Sequence, residues 1–473
     1  MESVEVRPLS MNQLAEQLDP DRAQLLRQAV DRGRQLLKDR VVWNVNATAT
    51  GGGVAEMLAA LLAYARGAGI DTRWLVLVGD SDFFDITKRV HNFLHGSAGD
   101  GGPLGEAERR HYEAVLTRNL QALGEQVRQG DIVLLHDPQT AGLARAMRAA
   151  GAHVVWRCHI GSDQNNDLTR AGWDFLHPYL RDADAFIFSR KEYAPDWVDP
   201  GRLFVIPPSI DPASCKNRQL SEAQVDAVLR RVGLISDGRG RPEVEFTRRD
   251  GTRGQVKERP TVLLDGSLPR PDDRLVVQVS RWDRLKDMSG VLTSFAEYFA
   301  DGPEDVHLVL AGGEVSQVAD DPEGAEVLEE CLAQWRGLPA HVRRRTHLAA
   351  LPMEDWDENA LIVNALQRHA RVVVQKSLME GFGLTVTEAL WKGTPVIASA
   401  VGGIRDQIVD GRDGLLLEDP RDLEGLARLI KRVLDDEGLA SRLGRAGHER
   451  AKDQFLGDRH LIQYVDLFAG LIR

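Results

Sequence analysis

Cysteine is scarce in this chain of 473 residues, which has only Cys158, Cys215 and Cys331. No two of them have the short spacing of a paired-cysteine motif. This scarcity excludes a fold held together by disulfides or a zinc site built on cysteines, and it is typical of a reducing compartment. No apolar run is long enough to cross a bilayer, and residues 1–20 lack the basic and apolar regions of a secretion signal. We therefore expect a cytoplasmic protein with no membrane partner.

Positive charge is also in short supply, because 59 Lys and Arg residues are set against 71 Asp and Glu residues, for a net charge of −12. This balance argues against nucleic acid or an anionic membrane surface as the main partner. It still leaves room for a local phosphate site, which needs only a few cations. Small molecules are therefore the expected partners. A homodimer is compatible with the composition, which does not determine the oligomeric state.

Several chemical signatures are missing as well. The chain has no H-E-x-x-H, no histidine cluster at metal-ligand spacing and no G-x-S-x-G. The acidic pair in "DADAF" (182–186) falls at a predicted helix–strand junction, and we do not interpret it as a metal site. We accordingly predict no metal site and no required cofactor.

Two series of short β-branched runs alternate with amphipathic stretches, a pattern typical of parallel sheets flanked by helices. The prolines of "VIPPSIDP" (205–212) predict an extended hinge between the two series. We predict an α/β protein of two Rossmann-like, doubly wound domains that face a central cleft. The first is residues 1–207, with a C-terminal helix at 456–473 packing back on it, and the second is residues 208–455. The predicted strands are 41–47, 72–79, 131–137, 153–160, 185–189 and 203–208, then 274–280, 306–313, 346–351, 370–377, 394–400 and 414–419.

The loop "SRWDRLKDMSG" (280–290) follows the first predicted strand of the second domain and leads into a helix. Arg281 and Lys286 could neutralise a diphosphate there, the arginine by a forked contact and the lysine as a point charge. The alternative is a charged, solvated loop. This motif alone therefore leaves the function open.

The segment "MEGFGLTVTEAL" (379–390) has a glutamate on each side of a Gly-Phe-Gly turn. Glycines let the backbone approach a hydroxylated ring, and the amides of Phe382, Gly383 and Leu384 could bond hydroxyls or phosphate oxygens at the helix start. Glu380 suits vicinal hydroxyls of a sugar, and Glu388 suits a ribose diol, because a carboxylate accepts several hydrogen bonds. The alternative is a pair of acids that stabilises the start of a helix.

The first domain offers a glycine loop, "ATATGGGVAE" (47–56), between its first strand and first helix. Gly52 and Gly53 would let backbone amides approach an anion at the helix start. The loop is neither G-x-G-x-x-G nor a P-loop, so nicotinamide and P-loop chemistry are not supported. A tight turn is the alternative interpretation.

Other polar residues of this domain follow predicted strands or lie on a predicted helix. His159 and Asp137 stand at the carboxyl ends of two strands, the edge where parallel sheets bind ligands. A lone strand histidine is more often structural, which remains the alternative for His159. Lys88, His91 and Asn92 lie on a predicted helix, where Lys88 and His91 share a face.

Taken together, "SRWDRLKD", "EGFGLTVTEA" and "ASAVGGIRDQI" (398–408) resemble the retaining glycosyltransferases of the GT-B fold, in particular the large sucrose-synthase-like family. The first domain, through "NATATGGGVAEML", "SDFFDITKRVHNFLHG", "LHDPQTAGL" and "WRCHI", is similar to the trehalose glycosyltransferring synthases. The resemblance implies trehalose formation from an NDP-glucose, UDP- or ADP-glucose, and free glucose, reversibly. Sugars and nucleotide sugars are then the partners, and Mg²⁺ is compatible with the diphosphate but implied by no residue set.

The resemblance also implies roles for residues that match its motifs. The catalytic set is His159, Arg281, Lys286 and Glu380, with the two cations on the diphosphate and Glu380 on the transferred glucose. His159 would bond the donor sugar and steady its developing charge. The donor-binding set is Gly52, Gly53, Phe382, Gly383, Leu384, Thr385 and Glu388. The acceptor-binding set is Lys88, His91, Asn92 and Asp137.

Retention of the α configuration is expected to proceed by front-face attack, because no residue is an obvious nucleophile for a double displacement. Three rival functions remain open from the sequence. They are a related trehalose phosphorylase, a glucosyltransferase for a different sugar or polyol acceptor, and a sugar-nucleotide sensor without turnover.

Overall fold

The structure, a computed structural model, describes residues 1–49, 53–163, 165–257, 259–263, 268–315 and 322–472. It divides into two compact units, with unit 1 comprising Met1–Asp211 and Phe455–Arg473, and unit 2 comprising Pro212–Gln454. The sequence places the corresponding boundaries after residues 207 and 455. Both units are α/β with mostly parallel sheets, which confirms the predicted fold class. Within the described ranges no helix combines the length and apolar character needed to span a membrane.

Unit 1 is built on a sheet of seven strands among its described residues, in the order β1-β3-β2-β4-β5-β6-β7. Neighbours pair in parallel except β1, which runs antiparallel to β3. The strands are β1 (Glu2–Val4), β2 (Val42–Asn46), β3 (Thr72–Val76), β4 (Ile132–His136), β5 (His153–Cys158), β6 (Ala185–Phe188) and β7 (Leu203–Val205).

Helices cover both faces of this sheet, because its central strands are apolar on both sides. In β4, Val133 and Leu135 join one buried cluster while Ile132 and Leu134 join another, as the two-residue period of a strand requires. The helices are α1 (Met11–Ala15), α2 (Pro20–Leu36), α3 (Gly53–Gly67), α4 (Ser81–Leu94), α5 (Glu106–Gly124), α6 (Asp137–Thr140), α7 (Ala144–Ala149) and α8 (Asp167–Leu180).

Unit 2 has a second seven-stranded sheet in the part of the chain described, in the order β10-β13-β12-β11-β14-β15-β16, and a separate β8–β9 hairpin. Among these described strands, only β10 is antiparallel to its neighbour in the sheet. The strands are β8 (Glu245–Thr247), β9 (Arg253–Gln255), β10 (Thr261–Leu263), β11 (Arg274–Val279), β12 (Val306–Gly313), β13 (Thr346–Leu351), β14 (Val372–Gln375), β15 (Val396–Ser399) and β16 (Leu415–Leu417).

Helices again flank the sheet of unit 2, and the last helix of the chain returns to unit 1. The helices of unit 2 are α9 (Glu222–Val232), α10 (Met288–Tyr298), α11 (Pro322–Arg336), α12 (Ala340–Arg343), α13 (Trp356–His369), α14 (Leu384–Trp391), α15 (Ile404–Gln407), α16 (Leu423–Asp435) and α17 (Glu437–Gln454). The returning helix is α18 (Gly457–Leu471).

Buried polar contacts fix α18 to unit 1. Arg157 on β5, which is 1 % exposed, donates from Nη1 to His460 Nε2 (2.7 Å) and to the Tyr464 hydroxyl (2.5 Å). Arg22 of α2 makes a two-pronged contact with Asp458, with Nη2 lying 2.8 Å from Oδ1. Burial holds the pKa of His460 well below its usual value, so the ring is neutral and its Nε2 can accept a hydrogen bond from Arg157.

At Gly67, the last residue of α3, the helix lies close to the backbone of Leu9. A Cβ there would lie 1.7 Å from the Leu9 carbonyl oxygen, and the Leu9 amide donates to Ala63 O at 2.9 Å. We expect Gly67→Ala to lower the free energy of unfolding by about 3 kcal/mol, because the clash must displace one of two packed segments. Gly470→Ala in α18, where a Cβ would have nothing within 4 Å, is the control and should not destabilise. Calorimetric unfolding of both variants decides this, and equal stabilities would contradict it.

Candidate active site

In the loop between β11 and α10, the two arginines Arg281 and Arg284 bind different partners. Arg281, with a side chain 47 % exposed, donates from Nη2 to Asp283 Oδ2 at 2.7 Å. Arg284 instead reaches α11, where Nη1 lies 2.7 Å from Glu330 Oε2. Asp283 fixes the turn, since its Oδ1 accepts from the Leu285 amide at 2.8 Å. The loop therefore holds Arg281 by a contact within the loop and ties Arg284 to a neighbouring helix.

Lys286, from the same loop, is in direct contact with the glycine-rich segment that follows β14. Its Nζ lies 2.6 Å from Glu380 Oε2, and Ser377 Oγ donates to the same oxygen at 3.1 Å. The two segments are also joined by the Leu378 amide, which donates to Leu285 O at 2.7 Å. Two residues of the predicted catalytic set, 94 positions apart, are thus brought together.

The Gly-Phe-Gly turn has a backbone that only glycine accommodates readily. Gly383 has φ = +86° and precedes the first residue of α14, Leu384. Gly403 lies in the loop between β15 and α15. A Cβ on Gly403 would lie 2.7 Å from Phe382 Cα, so this loop packs backbone against backbone on the Gly-Phe-Gly turn. Thr385 Oγ1 donates to Gln375 Oε1 at 2.9 Å, which fixes the first turn of α14 to β14. The predicted donor-binding residues Phe382, Gly383, Leu384 and Thr385 therefore form one short segment at the start of α14.

Glu388 lies in the second turn of α14 and is 2 % exposed. Lys216 Nζ lies 3.2 Å from its Oε1. Lys216 could not be predicted as this partner, because nothing in the segment after the hinge indicates that a lysine there turns inward. A buried carboxylate with a lysine partner is more strongly constrained than a surface residue that caps a helix.

A second buried cation of unit 2 was also not identified. Lys376 at the end of β14 is 1 % exposed, and its Nζ is paired with Asp287. Asp287 has φ = +48° and caps α10 by accepting from the Gly290 amide at 3.1 Å. The signal was present in the sequence, since a lysine within "RVVVQKS" must either end the strand or be buried with a partner.

In unit 1, Asp137 and His159 follow adjacent parallel strands and are bonded to each other. The His159 amide donates to Asp137 Oδ1 at 2.7 Å, and Asp137 has φ = +64°, in the left-handed region. Burial raises the pKa of Asp137 to about 7, and the bond from His159 and the charge of Arg157 oppose this shift. Two predicted site residues are therefore adjacent, and one carboxyl group titrates near neutral pH.

His136, the last residue of β4, is in contact with the ring of His159. Its Nδ1 is 3.2 Å from His159 Nε2, and the two rings are stacked with centroids 5.5 Å apart. Burial and the charge of Arg157 lower the pKa of His136 to about 3 and hold the pKa of His159 well below its usual value. Both rings are therefore neutral at physiological pH. His136 was not predicted as a site residue, because a histidine inside an apolar strand is ordinarily part of the core.

The predicted acceptor residues on α4 are all partly buried. The His91 ring stacks edge-on against His95 (centroids 4.9 Å apart), and His95 Nδ1 lies 3.0 Å from Gly161 O, two residues beyond His159. The side chain of Asn92 lies against the turn at Gly99. The end of α4 and the loop after β5 are thus joined, and Lys88 lies one turn earlier on the same helix.

The glycine loop of unit 1 is described only in part. Gly52 lies outside the described residues, and Gly53 is exposed as the first residue of α3. Among the residues that are described, no three His, Cys, Asp or Glu side chains are grouped as a metal ion would require.

Two protein families match successive parts of the chain. A family described as trehalose synthase, N-terminal domain, matches residues 44–195, and glycosyl transferases group 1 matches residues 264–450. The trehalose synthase of Rubrobacter xylanophilus is 36% identical over 439 residues, or 92% of each chain. The trehalose synthase of Thermococcus litoralis is 34% identical over 441 residues, or 93% of each chain.

Among solved structures, an α,α-trehalose-phosphate synthase (UDP-forming) from Burkholderia xenovorans, in complex with glucose-6-phosphate, matches with a TM-score of 0.65 at 14% identity. The match covers 91% of this chain and 99% of that one, and it shows the GT-B fold. Identity above a third, over nearly the full length of named relatives, decides the family. The chain therefore belongs to the trehalose synthase family, and it is a hexosyltransferase of the GT-B fold whose activity concerns trehalose.

Proposed function

We propose that the enzyme forms trehalose reversibly from an NDP-glucose, UDP- or ADP-glucose, and free glucose, with retention of the α configuration. The observation that carries this proposal is the 2.6 Å contact between Lys286 and Glu380. It joins a cation suited to a diphosphate to a carboxylate suited to sugar hydroxyls, as a sugar joined to a diphosphate requires. The buried Glu388–Lys216 pair supports a nucleoside donor, since its carboxylate can accept from a ribose diol.

In this proposal Arg281 and Lys286 neutralise the diphosphate as it leaves, which is the electrostatic stabilisation that charge development requires. The bond between the glucosyl C1 and the phosphate oxygen breaks, and the acceptor hydroxyl oxygen bonds to C1 on the same face. The acceptor proton passes to the departing phosphate oxygen, so nucleoside diphosphate and trehalose are the products. Glu380 holds hydroxyls of the transferred glucosyl group, and Asp137 with the α4 residues binds the acceptor. Positioning therefore supplies much of the rate.

The test is to supply the purified enzyme with glucose and, in separate reactions, UDP-glucose, ADP-glucose or α-glucose 1-phosphate. We expect α,α-trehalose from at least one nucleotide donor, identified by NMR, and NDP-glucose from trehalose plus the matching diphosphate. Phosphate-dependent cleavage of trehalose without nucleotide activity would identify a phosphorylase instead. A different disaccharide would change the acceptor, and binding without turnover on any acceptor would indicate a sensor.

Asp137 gives a pH dependence whose sign follows from its raised pKa. Below about pH 7 its carboxyl group is protonated and accepts hydroxyl hydrogens less well. We therefore expect kcat/KM for glucose to rise with pH through a midpoint near 7. Asp137→Asn should remove this rise while retaining an oxygen that can accept from the His159 amide. Measured kcat/KM profiles of both proteins decide this, and an unchanged midpoint in Asp137→Asn would assign the titration to another group.

A further inference from the structure

A line of hydrogen bonds crosses the sheet of unit 1 and ends at His159. Thr72 Oγ1 donates to the Val42 carbonyl at 3.1 Å, and Asn44 Nδ2 lies 3.3 Å from Thr72 Oγ1. Asn44 Oδ1 lies 3.3 Å from His136 Nε2, and His136 Nδ1 lies 3.2 Å from His159 Nε2. Thr72, Asn44 and His136 are at most 3 % exposed, so solvent does not replace these partners.

One set of directions satisfies every contact of this line at once. A backbone carbonyl only accepts, so when the Thr72 hydroxyl donates to Val42 its Oγ1 is left to accept from Asn44. Asn44 therefore directs its NH₂ group to Thr72 and its Oδ1 to His136. Because Oδ1 only accepts, His136 carries its proton on Nε2. A neutral His136 then has a lone pair on Nδ1, and the proton between the two rings belongs to His159 Nε2.

The surroundings favour this single arrangement. Both rings are kept neutral by burial and by the charge of Arg157, so each carries one proton. Asn44 and Thr72 also line a cavity of about 60 Å³ whose other walls are almost entirely apolar, among them Leu61, Leu134 and Phe468. These walls carry few polar groups, so a flipped Asn44 amide would find little to replace its lost partners.

We propose that Thr72, Asn44 and His136 are positioning residues that hold His159 as the Nε2–H tautomer, with Nδ1 as a hydrogen-bond acceptor for a sugar hydroxyl. The inference deepens the proposed function and rests on it for the identity of the sugar. A neutral ring with Nδ1 unprotonated can accept the hydrogen of a sugar hydroxyl. It also adds no positive charge where positive charge develops in the transition state. The opposite tautomer would present a donor in its place.

The first readout is NMR of the enzyme labelled with ¹⁵N-histidine, in which protonated and unprotonated ring nitrogens have distinct shifts. The His159 signals are assigned by their loss in His159→Gln. We expect the wild type to show Nε2 protonated and Nδ1 unprotonated. Protonation of His159 at Nδ1 in the wild type would overturn the inference. This readout needs no substrate, so it stands even if the enzyme makes no trehalose, a result that would refute only the proposed function.

The second readout compares matched variants at the start of the line. Thr72→Val is isosteric but removes the hydroxyl, so the Asn44 amide loses its orienting partner and we expect both His159 tautomers. Thr72→Ser retains the hydroxyl and should retain the single tautomer. Asn44→Leu removes the acceptor for His136 Nε2–H and should move the proton of His136 to Nδ1, which reverses His159.

We expect kcat to follow the population of the Nε2–H tautomer, with a loss on the order of 10²-fold in Asn44→Leu. Thr72→Ser should keep the kcat that Thr72→Val loses. KM for the donor should change far less than kcat. If Asn44→Leu does not fold, the two Thr72 variants carry the test. Variants that lose thermal stability but keep the wild-type tautomer and kcat would reduce these residues to a structural role and refute the proposal.

Discussion

Glu380→Gln is expected to lower kcat for trehalose formation by about 10²–10³-fold, the usual cost of removing one group that stabilises the transition state. Glutamine keeps the shape of the side chain but loses its negative charge. In the wild type, Glu380 Oε2 lies 2.6 Å from Lys286 Nζ and 3.1 Å from Ser377 Oγ. Lys286 then lacks its carboxylate, and the amide accepts sugar hydroxyls at one oxygen only. The measurement is steady-state kinetics with the nucleotide donor established for the wild type.

The control is Glu437→Gln, because Glu437 at the start of α17 has a side chain 86% exposed. We expect this control to retain wild-type kcat, and both variants to unfold within about 4 °C of the wild type. If Glu380→Gln retains activity within threefold of the wild type, the transferred sugar is held elsewhere and the assignment of Glu380 fails.

Arg281→Ala is expected to lower kcat/KM for the nucleotide donor by about 10²-fold, because a charge-assisted contact to the diphosphate is lost. Arg284→Ala provides a matched control three residues away in the same loop. Arg284 is held by carboxylates of α11, with Glu330 at 2.7 Å and Glu326 at 3.3 Å, so we expect it to serve structure rather than the donor.

The pair separates a specific role from a general effect of positive charge on this loop. Kinetics should show a large loss for Arg281→Ala and less than a threefold change for Arg284→Ala. Comparable losses in the two variants would instead mean that the loop acts through its overall charge or its conformation. That result would remove Arg281 from the catalytic set.

The parallel strands of both units could be predicted because they are short apolar runs between amphipathic helices. The predicted run 306–313 matches β12 in full, and 131–137 contains β4 with one extra residue at each end. The strands β1 and β10, which run antiparallel at the edges of the two large sheets, were not predicted. β1, in "ESV", is polar and only three residues long, and an edge strand gains its ladder bonds from a neighbour without needing an apolar face.

The candidate site divides in a similar way. Residues at the ends of strands could be proposed as site residues because parallel strands place their carboxyl ends at one edge, and Arg281, Glu380 and His159 were predicted on this ground. Their partners could not be identified, because pairing depends on tertiary geometry. Lys216 is 172 positions from Glu388, and no local pattern connects them. His136 lies inside a strand, where a histidine is ordinarily interpreted as core.

The return of α18 to unit 1 has a consequence for synthesis of the chain on the ribosome. Unit 2 is contiguous in sequence, so it can complete its core as soon as Gln454 has emerged. Unit 1 is translated first, yet Arg157 must wait for His460 and Tyr464, which are made after all of unit 2. The N-terminal half of this enzyme is therefore the half that matures last, against the usual order of vectorial folding.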